Sequence, residues 1–100
     1  MVLMARNFYL GSEAVAAVQQ CSLRKDAHDR ARREARLFLS TEGPHRSFRD
    51  ILARLDRVIA DGRREFAARG VAAKDIEAWD TSCRIMFLLT AWHHPDARNA

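Results

Sequence analysis

A chain of 100 residues that is 48% hydrophobic holds one packed core, which excludes both a second independent domain and a disordered segment of any size. The formal charge of +4 is unevenly placed: residues 24–36 hold six basic and three acidic side chains and residues 47–70 hold six and four, whereas residues from 71 onward hold three and four, so the positive field belongs to the first two thirds. Two cysteines with neither disulfide-framework nor zinc-knuckle spacing, and a longest apolar run (85–92) far below the roughly 20 residues that span a bilayer, predict a soluble, cytoplasmic protein with no membrane partner.

The chain opens on an apolar decapeptide with Val2, Leu3, Phe8, Tyr9 and Leu10, charged only at Arg6 and too short in its apolar run for an export signal. It reads as an N-terminal arm over 1–11. A first helix is expected from Ser12, its N-cap, to about Leu39, roughly 40 Å long at 1.5 Å per residue. Its predicted inner stripe is Val18, Cys21, His28, Ala31, Ala35 and Phe38, and the small alanines would let a neighbouring helix approach closely. Ser22 offers a second cap, at which this helix would break in two and turn the bundle into one of four helices. Residues 40–46, with Gly43 and Pro44, read as a loop.

The second helix carries the clearest pattern in the chain. Phe48, Ile51, Leu52, Leu55, Val58, Ile59 and Phe66 recur every three or four residues, which is one apolar face of an amphipathic helix. Ser47 with Asp50 three positions on reads as a capping-box variant, and Gly70 fits the left-handed residue that closes a helix. After a short turn, a third helix is expected from near Ala73 to Trp92 or His93, stopped by Pro95 and followed by a tail over 95–100. It begins amphipathic, with Ile76, Trp79, Cys83 and Met86 on one face, and Phe87 and Thr90 carry that face on with Met86. Beyond Arg84 a second apolar line through Ile85, Leu88 and Trp92 lies opposite Cys83. A helix apolar on most of its circumference needs cover on both sides, from the N-terminal arm or from another chain.

No assembled chemistry emerges from these elements. The segment 66–79, with Gly70, Val71, Ile76 and Trp79, resembles the turn and second helix of a helix-turn-helix DNA-binding unit. That resemblance implies a recognition helix presenting Asp75, Glu77 and Asp80 against a single Lys74, and a net negative face is repelled by a polyanion, so a plain helical hairpin is expected. Cys21 and His28 lie two helical turns apart, roughly 10 Å by the helical rise, too far for ligands of one ion, and the adjacent His93 and His94 diverge by about 100° on a helix. Cys83 sits among apolar residues, where burial raises a thiol's pKa and hides it, and both cysteines read as small core hydrophobes. The four glycines are isolated, so there is no phosphate-binding loop. No metal, cofactor or catalytic residue is expected.

The fold expected is therefore all-α: one domain over 1–100, an antiparallel three-helix bundle with a short N-terminal arm. The function expected is non-catalytic protein association, as a homodimer or as a regulatory adaptor or inhibitor docked on a larger partner, through Ile85, Leu88 and Trp92. The alternative is association with nucleic acid through the arginine-rich first and second helices. Arg24, Lys25, Arg32, Arg33 and Arg36 form the candidate basic surface, either for nucleic acid or for an acidic partner. Pairs spaced i to i+4, Asp26 with Arg30, Asp29 with Arg33 and Arg30 with Glu34, are expected to offset part of that charge.

Overall fold

The computed structural model describes residues 11–42 and 47–93, with side-chain surroundings over 19–41 and 47–92. Among the described residues it contains three helices and no strand: α1 (Gly11–Glu42), α2 (Phe48–Ala68) and α3 (Ala73–His93). The arm expected over 1–11 lies outside the described residues except for Gly11, the first residue of α1. The 95–100 tail lies outside them altogether.

The first helix runs unbroken through Ser22, as the three-helix reading expects, and the four-helix variant does not occur. It differs from expectation in its length and its seam: it continues past Leu39 to Glu42, about 48 Å at 1.5 Å per residue. The Ser40 hydroxyl donates to the Leu37 carbonyl at 2.9 Å, and Thr41 Oγ1 donates to the carbonyls of Leu37 and Phe38 at 3.0 and 3.1 Å, so both hydroxyls bond back onto the turn that precedes them. Its buried seam is Leu23, Ala27, Ala31, Ala35, Phe38 and Leu39. Cys21, expected in the core, is exposed, and His28 is half-buried. Val18 lies outside the described side chains.

The ends of α2 are formed as its sequence predicts. Ser47 Oγ accepts from the Asp50 backbone N–H at 3.2 Å, and Asp50 Oδ2 accepts from the Ser47 N–H at 2.9 Å, which completes the capping box. The hydrogen bond from the Ser47 backbone holds the Asp50 carboxyl below its ordinary pKa. At the other end Gly70 takes φ of +80°, and the N–H of Val71 returns to the Phe66 carbonyl at 3.0 Å.

Contacts along their lengths give the direction of packing. Arg63 meets Asp80, Arg84 meets Asp56 and Phe48 meets Trp92, so α2 and α3 run antiparallel. Arg30 meets Glu65, while Phe38 lines a cleft with Ala53 and Arg54, so α1 and α2 are antiparallel as well. The order is up-down-up. Backbone approach is most extensive between α1 and α3, and both contribute small buried residues at i to i+4 spacing: Ala27, Ala31 and Ala35 on one, Cys83 and Ala91 around Phe87 on the other. Helices faced with alanine approach more closely than helices faced with leucine, which is why the backbones of α1 and α3 pair tightly while those of α1 and α2 stand further apart and meet through longer side chains.

Trp79 joins all three helices. It is 1% exposed, its Nε1–H donates to Asp26 Oδ2 of α1 at 2.8 Å, and its ring meets Phe66 of α2 edge-on at 5.2 Å between centroids. The ring also lies against Gly62, where a side chain would collide with it. The Arg30 guanidinium sits 5.5 Å from the Phe66 ring and 5.6 Å from that of Trp79, held by Glu65 at 2.9 Å and by Asp26. Burial pulls the pKa of this group down, but hydrogen bonds and charge from the two carboxylates outweigh it, so the group stays cationic. The expected pairing of Asp26 with Arg30 is present. The pair Arg30 with Glu34 is not, because Arg30 turns inward to Glu65, and Asp29 with Arg33 is also absent.

Candidate functional site

Two surfaces stand apart from the core, one apolar and one basic. The apolar one lies where the N-terminal end of α2 meets the C-terminal end of α3. Phe48 is 48% exposed and Trp92 50%, and their rings meet edge-on at 5.2 Å. Leu52 follows Phe48 by one helical turn; Ile85 and Leu89 precede Trp92 by two turns and one, and all three are exposed. At 100° per residue Ile85 stands opposite the fully buried Cys83, so this side of α3 is turned away from both other helices.

The predicted association residues are thus only partly placed as expected. Ile85 and Trp92 are exposed, whereas Leu88 is half-buried and packs on the core. Leu89, Phe48 and Leu52 complete the face instead. Phe48 and Leu52, expected in the core, lie at the end and at the α3-side margin of the α2 stripe, where the neighbouring helix closes over them only in part. The i to i+4 step from Ile85 to Leu89 was the signal available for Leu89. For Phe48 and Leu52 the pattern gave none, since an apolar stripe does not report its width of contact.

The predicted basic residues Arg24, Lys25, Arg32, Arg33 and Arg36 are all exposed on α1. Of these only Arg33 reaches the groove between α1 and α2. There it faces Arg54 and Arg57 across a space of about 290 Å³, which is also lined by Arg30, Glu34, Val58 and Asp61. A shallower cleft continues it along Phe38, Asp50 and Ala53, sharing Arg54 and Arg57. Asp61 is taken up by Arg64, and Asp50 caps its own helix.

Two of the three acidic residues of the helix-turn-helix resemblance, Glu77 and Asp80, hold α3 to α2. Asp80 is buried between Arg63 Nε at 2.7 Å and Arg84 Nε at 2.5 Å, and Arg63 also binds Glu77 at 2.7 Å. These side chains clasp two antiparallel helices. Cys83 is fully buried, and burial pushes its thiol up to about 11. Among the described residues no group of three or more His, Cys, Asp or Glu side chains is placed to hold a metal ion, and no helix is long and apolar enough to cross a membrane. No protein-family model, curated protein or solved structure matches the chain.

Proposed function

We propose that the protein works by protein–protein association without catalysis, and that a second copy of this chain occupies the apolar face of α2 and α3. The observation that carries this reading is the half-exposed Phe48–Trp92 pair, continued on both helices by Leu52, Leu89 and Ile85. Paired aromatic anchors amid aliphatic neighbours are what a binding hot spot consists of, and soluble monomers seldom leave such a face open. These five side chains carry no charge, so a two-fold copy brings no like charges together at the centre of the contact.

The magnitude is moderate. A fully buried large apolar side chain contributes about 1.5–3 kcal/mol, so five half-exposed ones on each of two copies supply on the order of 10 kcal/mol. Association itself costs about 4 kcal/mol or more, which leaves a dimer in the micromolar range or weaker. Light scattering coupled to size exclusion tests this. Wild-type protein at several hundred micromolar, above the Kd of roughly 40 micromolar that about 6 kcal/mol gives, is expected as a dimer that persists at high salt, because apolar burial survives screening, and Trp92→Glu is expected as a monomer. A wild type that stays monomeric throughout contradicts the reading.

A further inference from the structure

The folded chain sorts its arginines into two populations. Arg30, Arg63, Arg64, Arg69 and Arg84 are all engaged with carboxylates, and those pairs lie along the α2–α3 clasp and around Glu65 and Asp61. By contrast, Arg33, Arg54 and Arg57 meet no carboxylate at ion-pair distance among the described residues, although they stand on two walls of one groove. The exposed Lys25, Arg32 and Arg36, likewise unpaired among the described residues, extend the same charge over the outer face of α1. Of the groove's carboxylates, Asp61 and Asp50 are engaged within α2, which leaves Glu34 as the acidic group opposing three guanidinium forks.

From this arrangement we infer that the α1–α2 groove, with Arg33, Arg54 and Arg57 at its walls, binds the sugar-phosphate backbone of a nucleic acid without reading its sequence. The planar guanidinium donates two parallel hydrogen bonds to a phosphate, and an arginine whose charge is not satisfied internally is open to do so. The spread of the cations selects a repeating ligand. From Lys25 to Arg36 the outer face of α1 covers about 16 Å at 1.5 Å per residue, and beside it Arg33 faces Arg54 and Arg57 across the groove. A polynucleotide presents phosphates at regular intervals, so several can meet cations spread over that length, whereas a single phosphorylated or acidic side chain engages only one or two. The groove floor is Val58, Ala53 and the buried Phe38, which offers no exposed ring for base stacking. Contact between the guanidinium groups and phosphates is the mode that this charge supports, and such contacts carry no sequence information. The sequence pointed to the outer face of α1, but the two walls come together only because Arg54 and Arg57 of α2 fold opposite Arg33.

The test is fluorescence anisotropy with a short labelled duplex and a single strand of the same sequence, at roughly 50 and 200 mM salt. Wild-type protein is expected to bind at the lower salt and to lose affinity steeply at the higher, and the ratio between the two probes assigns the preferred form. Arg54→Glu with Arg57→Glu should weaken binding by about tenfold or more and lower the salt slope by about two. Arg69→Glu with Lys74→Glu changes the net charge equally but lies at the far end of α2 and the start of α3, outside the groove lining, and is expected to cost about threefold at most. Thermal melts of both variants check that the fold is intact. Three results would each overturn the inference: no binding of either probe at low salt, equal losses in the two variants, or displacement of the probe by polyglutamate as readily as by unlabelled oligonucleotide. The dimer-breaking Trp92→Glu lies outside the groove and tests a separate claim.

Discussion

Replacing Gly62 with alanine is the sharpest test of the packing, because helix propensity and tertiary structure predict opposite signs. In an isolated helix the change is favourable by about 0.8–1 kcal/mol. In this bundle a Cβ at residue 62 falls well inside the van der Waals radius of the Trp79 ring, and even the outlying Cζ3 is 3.0 Å away, against an optimum of about 3.5–4.0 Å. The ring cannot yield easily. Asp26 holds its Nε1 at 2.8 Å, Phe66 abuts it edge-on, and only 1% of the residue is exposed. Overpacking of this kind costs about 1–3 kcal/mol, and an overlap reaching several ring carbons belongs at the upper end. With propensity returning about 1 kcal/mol, the net loss is about 2 kcal/mol, a fall in Tm on the order of 10 °C for a domain of this size. Urea and thermal unfolding followed by circular dichroism would measure it. A Gly62→Ala protein that melts at or above the wild-type temperature would show that Trp79 is not seated against α2.

Leu55 is 1% exposed at the centre of the α2 stripe, so Leu55→Ala should cost about 2–5 kcal/mol in urea unfolding, and an unchanged midpoint would remove it from the core. Burial holds the Cys83 thiol neutral up to about 11, whereas the unfolded thiol ionises near about 8.5. Between those values the unfolded chain binds fewer protons than the folded one, so stability should fall by about 3 kcal/mol as pH rises, and Cys83→Ala should remove that component of the slope. The exposed Cys21 should react with a thiol reagent in native protein while Cys83 waits for unfolding, and two equally fast thiols would contradict the buried assignment.

What the sequence made legible follows from where each signal resides. The extent of α2 was legible because its information is local: a one-sided stripe, a capping box and a left-handed glycine each occupy a few neighbouring residues. The seam of α1 was legible in part: Ala31, Ala35 and Phe38 are buried where the sequence puts them, whereas Ala27 was missed because alanine carries little hydropathy, and Cys21, which looks more like a core residue, is exposed. The excess apolar surface of α3 was visible, but which of its leucines turn inward depends on where the other two helices lie against it; Leu88 packs and Leu89 does not. Asp80 was opaque for a related reason, since its burial depends on Arg63, 17 positions away along the chain. The groove of Arg33, Arg54 and Arg57 belongs to the same class, a juxtaposition made by the fold.

The central claim, that the face bearing Trp92 is where a second copy docks, is tested most directly by the emission of Trp92 itself. The chain has two tryptophans, so Trp79→Phe leaves Trp92 as the sole reporter, provided a thermal melt shows the variant folded at the measuring temperature. Its emission and its quenching by acrylamide are followed from about one micromolar to several hundred micromolar protein, a range that brackets the Kd of roughly 40 micromolar. Occlusion of a half-exposed indole by a partner should shift the emission to the blue and suppress quenching as concentration rises, and adding Phe48→Glu should abolish both changes. An emission maximum and a quenching constant that stay constant across the whole range would contradict the account.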